Sequence, residues 1–152
     1  MQLIIKEPCY SYKTIHSSEG DSVLDNSEKA AIAARAILKA KSLDPTVEHF
    51  GGFWLNRKNR IIAGEVLFNG GFNSCSVCVK TMLRQALLNS ASAFIAFHNH
   101  PSGCADPSRA DIQVTRQFRE ASSAIGIDFL DHIIISSSGS ENYYSFQEAG
   151  FI

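Results

Sequence analysis

The sequence predicts a single α/β domain in which a mixed β-sheet is flanked by helices. Strand-like apolar runs alternate with segments of helical periodicity from about residue 25 onward, the pattern of a layered sheet-and-helix domain. The 152 residues suffice to bury a real core, and 45% apolar with 19% charged content is an ordinary globular composition. No repeat or long low-complexity linker divides the chain.

The elements follow in order. Residues 2–6 and 10–16 read as short β segments. Asp25 or Asn26 caps a helix running to about Lys41, with Ala30, Ala33, Ala34, Ile37 and Leu38 on one face, and Asp44-Pro45 breaks it. Residues 1–45 thus form an N-terminal extension packed on a core domain of residues 46–152. In the core domain, a strand from about Val47 to Asn56 leads through a turn at Arg57–Asn59 to a second strand, Arg60 to Phe68. Arg57-Lys58-Asn59-Arg60 is the one dense basic cluster, and its place between two strands makes it a solvated hairpin turn. Asn69-Gly70-Gly71 is a turn. A helix from about Ser76 to Asn89 carries the stripe Val79, Met82, Leu83, Ala86 and Leu87. The strand Ser92–His98 runs into a loop, 99–107, and a helix spans Ser108 to Ala124, ended by Gly126. A strand Ile127–Ile135, a loop Ser136–Ser140, a short edge strand Tyr143–Phe146 and a tail complete the chain.

Bulk properties exclude several classes. A net charge of -1 and a pI of about 6.5 argue against strong non-specific nucleic-acid binding, which rests on a basic surface. No apolar run approaches the roughly 18 residues of a membrane span, and the N-terminal apolar stretch is too short for a signal peptide. Cys9, Cys75, Cys78 and Cys104 show no disulfide spacing, so a reducing cytoplasm is the expected setting. Cys75-Ser76-Val77-Cys78 is a lone CxxC with half the ligands of a structural zinc knuckle; a redox pair is its weaker reading. A zinc deaminase is disfavoured, because Ser74 precedes the pair and no His-x-Glu occurs.

The chemistry concentrates in His98-Asn99-His100-Pro101, Pro107-Ser108 and Asp111, two imidazoles, a hydroxyl and a carboxylate within 14 residues. In a strand, residues i and i+2 point to one face roughly 6.5 Å apart, so both rings can converge on one ion. A catalytic zinc needs three N/O/S ligands and an open position, and His98, His100 and Asp111 supply such a trio. Each half also has a plain structural reading. Ser108 and Asp111 fit a capping box, and a histidine pair at a strand end can be solvated. Together the halves favour the metal. The triplet His-Asn-His is not an HNH nuclease signature, whose residues are dispersed over a larger ββα unit.

Glu65 lies in a run apolar on both faces, Ile61 to Phe68, which reads as a buried central strand. A carboxylate there is salt-bridged in the core, or near a strand end where it reaches water, or used as a general base. Asp131-His132 interrupts the apolar run Phe129–Ile135. A hydrogen-bonded core pair is its first reading, and support for a ligand histidine the sharper one. His16 and His49 read as ordinary surface or core residues.

These residues resemble the JAMM motif of the JAB/MPN-plus metalloproteases: His98-x-His100-Pro101, Ser108 and Asp111, with Glu65 upstream on a strand. The flanking sequence is similar to the RadC-like branch, in Glu48-His-Phe-Gly-Gly-Phe-Trp-Leu-Asn-Arg-Lys-Asn-Arg60, Glu65-Val-Leu-Phe-Asn-Gly70, His98-Asn-His-Pro-Ser-Gly103 and Leu130-Asp-His-Ile-Ile-Ile135. The similarity covers roughly residues 48–146. It implies a JAB1/MPN fold, similar to the cytidine-deaminase-like α/β sandwich, for residues 46–152. It also implies zinc held by His98, His100 and Asp111, Glu65 as general base, Ser108 as oxyanion donor, and hydrolysis of a peptide or isopeptide bond in a peptide or protein substrate. The chain departs from the family at Lys80, where arginine is usual, at Gly70-Gly71, and at Cys104, where an acidic residue is usual. A thiol near zinc could compete as a ligand, which is the weaker reading of Cys104. The alternative functions are a DNA-repair or mobile-element accessory protein acting on or near DNA, and a non-catalytic scaffold. The helix-hairpin-helix region common in RadC-like proteins is not recognisable in the first 45 residues.

Overall fold

The computed structural model describes residues 22–70, 79–137 and 141–152. The expected strands at 2–6 and 10–16, His16, Cys9 and the CxxC pair lie outside these residues. Asn26 starts the first helix, α1 (Ser27–Ala40), its side-chain oxygen accepting the Lys29 amide. Next come β1 (His49–Leu55), β2 (Ile61–Asn69), α2 (Val79–Leu88), β3 (Ala93–His100), α3 (Arg109–Ala124), β4 (Asp128–Ser136) and β5 (Tyr143–Ser145). The strands form one mixed sheet in the order β2-β1-β3-β4-β5. β3 and β4 run parallel, joined through α3, and the remaining neighbours are antiparallel.

Alternation along the strands builds two cores. On one face Ala30, Ala31, Ala34 and Ile37 of α1 pack on Phe53, Leu55, Ile95, Phe97, Ile133 and Ile135. On the other, Met82 and Ala86 of α2 and Val114 and Phe118 of α3 pack on Phe50, Trp54, Phe94, Ala96 and Phe129. The fold is therefore three layers, helix on sheet on helices. No helix among the described residues is long and apolar enough to cross a membrane.

Two features differ from the sequence expectation. Among the described residues β2 is an edge strand, not a central one, because β1 alone pairs along its full length. Its apolar character on both faces has another cause: Ile61 and Val66 pack into the α1 layer, Ala63, Leu67 and Phe68 into the α2 and α3 layer. Residues 22–24 shield its start, with Ile61 N–H donating to the Ser22 carbonyl at 2.7 Å. Secondly, β3 runs two residues past the expected end, to His100. Parallel pairing carries Asn99 and His100 alongside Ile135 and Ser136. The buried Asn99 side chain then ties three segments together. It accepts the His49 amide at 2.7 Å and donates to the Val47 carbonyl at 3.0 Å and to Ser137 Oγ at 2.8 Å. The Arg57-Lys58-Asn59-Arg60 turn is as expected, organised by Asn56 Oδ1 accepting the Lys58 and Arg60 amides.

Candidate metal centre

Register decides which side chains meet at the C-terminal end of β3. Phe50 pairs with His98. Two residues earlier on the same face stands Glu48, beside His100. The helix after β3 returns Asp111 to the same place, because Ser108 caps it: Asp111 N–H donates to Ser108 Oγ at 3.2 Å, and Ser108 N–H donates to Asp111 Oδ2 at 2.7 Å. The capping-box and metal readings of Ser108 and Asp111 are thus compatible, since the cap aims the carboxylate.

His98 Nε2 and His100 Nε2 lie 3.0 Å apart. Asp111 Oδ1 is 3.2 Å from the first and Asp111 Oδ2 is 3.5 Å from the second. Zinc–ligand bonds of about 2.0–2.1 Å give a tetrahedron with edges of about 3.3 Å, so each of these pairwise separations is close to such an edge, with Asp111 meeting the two imidazoles through different oxygens. Asp111 Oδ1 is buried and makes no hydrogen bond among the described residues, while His100 Nδ1 sits 2.9 Å from the Cys104 carbonyl. That carbonyl can only accept, so the proton of a neutral His100 is on Nδ1 and its Nε2 lone pair faces the cluster. Convergent acceptors around an orphaned carboxylate oxygen fit a divalent cation. Glu48 Oε1, 4.0 Å from His98 Nε2, stands just beyond this edge length, and Glu48, His98 and His100 present ligand atoms within 4.8 Å of one another.

The electrostatics agree. Burial opposes ionisation of Asp111, but the histidines outweigh it and hold the carboxyl well below the usual carboxylate range. The same carboxylate raises the His100 imidazole above its ordinary value.

Glu65 is not brought to this cluster. It pairs with Gly52 on β1, which in turn faces Ala96 on β3. Two strand spacings across and one residue pair along put its Cα about 12 Å from that of His98. The sequence reading missed Glu48 because it sought a carboxylate inside an apolar strand. The available signal was strand alternation: Glu48, Phe50, Gly52 and Trp54 share a face. Cys104 contributes its carbonyl, while its exposed thiol bonds Asp106 Oδ2 at 3.0 Å. His49 is structural, bonded to Asn69 Oδ1 at 2.7 Å and the Asp44 carbonyl at 2.8 Å.

Asp131 and His132 divide between the two readings, since neighbours on a strand face opposite ways. Asp131 is a core hub accepting from Ser27 Oγ, Ser145 Oγ and the amides of His132 and Gln147. Burial pushes its carboxyl up. His132 faces the centre, with Nε2 at 2.9 Å from His98 Nδ1 and Nδ1 at 2.7 Å from Thr115 Oγ1. Burial, then the neighbouring His98, pushes its imidazole well below the ordinary value, so it is neutral.

A mixed α/β sandwich with a His-x-His strand end and an aspartate in the next helix defines a JAB-type domain. A family model for the RadC-like JAB domain matches residues 25–151, and the chain belongs to that family. It is similar to a UPF0758 protein of Bacillus licheniformis, 43% identical over 105 residues, 69% of this chain and 46% of that protein. It is likewise similar to the UPF0758 protein YsxA of Bacillus subtilis, 42% identical over 107 residues, 70% of this chain and 45% of that protein. A UPF0758 protein of Azotobacter vinelandii is 43% identical over 103 residues, 68% of this chain and 46% of that protein. The chain spans less than half the length of these curated relatives.

Proposed function

We propose that this domain is a zinc-dependent hydrolase of peptide or isopeptide bonds, with a peptide or protein segment as substrate. The observation that supports it is the convergence of His98, His100 and Asp111 at pairwise separations of 3.0–3.5 Å, with the Glu48 carboxylate beside them. His98, His100 and Asp111 would hold zinc, which when bound supplies Lewis acidity and acidifies a hydrolytic water to a pKa of about 7. Glu48 takes the proton from the attacking water and delivers it to the leaving amine. Ser108 Oγ accepts the Asp111 amide through a lone pair, which leaves its O–H to donate to the oxyanion of the substrate carbonyl. In this scheme the base is Glu48 and Glu65 has no part in the reaction.

Metal analysis of the purified full chain tests the first half: one zinc per chain in the parent, and loss of it in His100→Ala. Profiling cleavage of a peptide and isopeptide library tests the second. Glu48→Gln keeps zinc and loses cleavage by about 10²–10⁴-fold, the range for removing a positioned acid–base group. A parent without zinc, or a Glu48→Gln variant that cleaves like the parent, overturns the proposal.

A further inference from the structure

Resting on the metal reading above, we propose that Thr115 and His132 are positioning residues that lock His98 with its proton on Nδ1, so that Nε2 offers its lone pair to the centre. The chain of hydrogen bonds has one direction. Thr115 lies one helical turn after Asp111, and its hydroxyl sits 2.7 Å from the Asp111 carbonyl. A carbonyl only accepts, so the Thr115 O–H is committed there. The Thr115 oxygen can then only accept from His132 Nδ1, 2.7 Å away. His132 is fully buried, stacked on Phe146 with ring centroids 4.9 Å apart and tilted against Phe50, and among the described residues its ring nitrogens are bonded to His98 and Thr115, not to a carboxylate. A charged imidazole there would be uncompensated. With its proton on Nδ1, a neutral His132 presents an acceptor Nε2 to His98 Nδ1 at 2.9 Å. His98 must therefore carry its proton on Nδ1.

The relay begins and ends on the same helix turn. Asp111 contributes its carboxylate to the centre and its carbonyl to the relay, so one placement of α3 sets a ligand directly and orients another through β4. Partners that hold a ligand imidazole in its tautomer typically contribute 10–100-fold to metal affinity.

The test uses the metal-free full chain labelled with ¹⁵N-histidine. Long-range ¹H–¹⁵N correlations are expected to show His98 with a pyrrole-type Nδ1 and a pyridine-type Nε2. Zinc affinity, read by competition with a chelating indicator, is expected to fall about 10–100-fold in Thr115→Val and in His132→Phe, which keeps the ring stack on Phe146. Thr115→Ser restores both acceptor and donor and is expected to bind zinc within about threefold of the parent, a small part of the loss set by such partners. A His98 proton on Nε2, or a folded Thr115→Val that binds zinc like the parent, overturns the relay. If the parent takes up no zinc, the metal reading fails, and the nitrogen spectrum of the parent still decides the relay. Absence of peptide cleavage leaves both readouts intact and counts only against the hydrolase reading.

Discussion

At Ser108 two roles share one oxygen, and they can be separated by substitution. As the N-cap of α3 it satisfies the Asp111 amide, and as a hydroxyl it donates to the substrate oxyanion in the proposed reaction. Ser108→Gly is expected to cost only a few tenths of a kcal/mol of stability, since glycine is itself tolerated at N-caps. It is also expected to lower kcat by about 10²–10³, the usual cost of one lost oxyanion donor. Thermal unfolding beside single-turnover cleavage reads both; unchanged kcat would remove Ser108 from the mechanism. Glu65→Gln provides the matching control for Glu48. Cleavage within about twofold of the parent is expected, because a distant edge-strand carboxylate has no reach to the reacting atoms.

At the scale of elements, β1 carries the site although it contributes no metal ligand. Its glycines let it lie flush between its neighbours. A Cβ on Gly51 would collide with the Glu65 carbonyl and come within 2.6 Å of Phe97 Cζ; one on Gly52 would come within 2.6 Å of Met82 Cε. Gly51→Ala is expected to lose about 1–3 kcal/mol, as overpacked cores do, with a lowered midpoint in urea. The displaced strand would also carry Glu48 away from the histidines, so remaining activity is expected to fall further than stability alone explains. The reach of β3 to His100 was not legible in its own residues. Asn99 and His100 have weak strand propensity, and the extension depends on parallel pairing to β4. The hairpin turn, the cap of α1 and the capping box of α3 were legible, because each is settled by side chains within four residues of the backbone they bond.

For the whole molecule, the buried centre couples folding to pH. His132 is neutral in the fold and titrates near 6.5 when unfolded, so the unfolded chain binds the extra proton. Stability of the metal-free chain is therefore expected to fall as pH drops below about 6.5, by up to about 1.4 kcal/mol per pH unit. His100, raised by Asp111, has the opposite sign: its stabilisation is complete only well below about 6.5 and is lost as pH rises through the raised value, so it offsets part of the His132 slope near the top of that window. Asp111 acts lower still, with stability present above the ordinary carboxylate range and lost in stronger acid. Urea titrations between about pH 5 and 6.5 should show the slope in the parent and its loss in His132→Phe; equal slopes would show that His132 is not the group responsible.

By itself the sequence determined the α/β class, the order of its elements and the pairing of His98 and His100 with Asp111. These depend on periodicity, capping and spacing, all of which act within a few residues. Tertiary structure alone decided that Glu48 rather than Glu65 stands at the histidines, that β2 lies at an edge of the sheet formed by the described residues, and that His132 reaches the centre while Asp131 turns into the core. Which carboxylate meets an imidazole 50 residues away is set by strand order and register. Those follow from how two faces of a sheet are shared among three helices, a property of the assembled core.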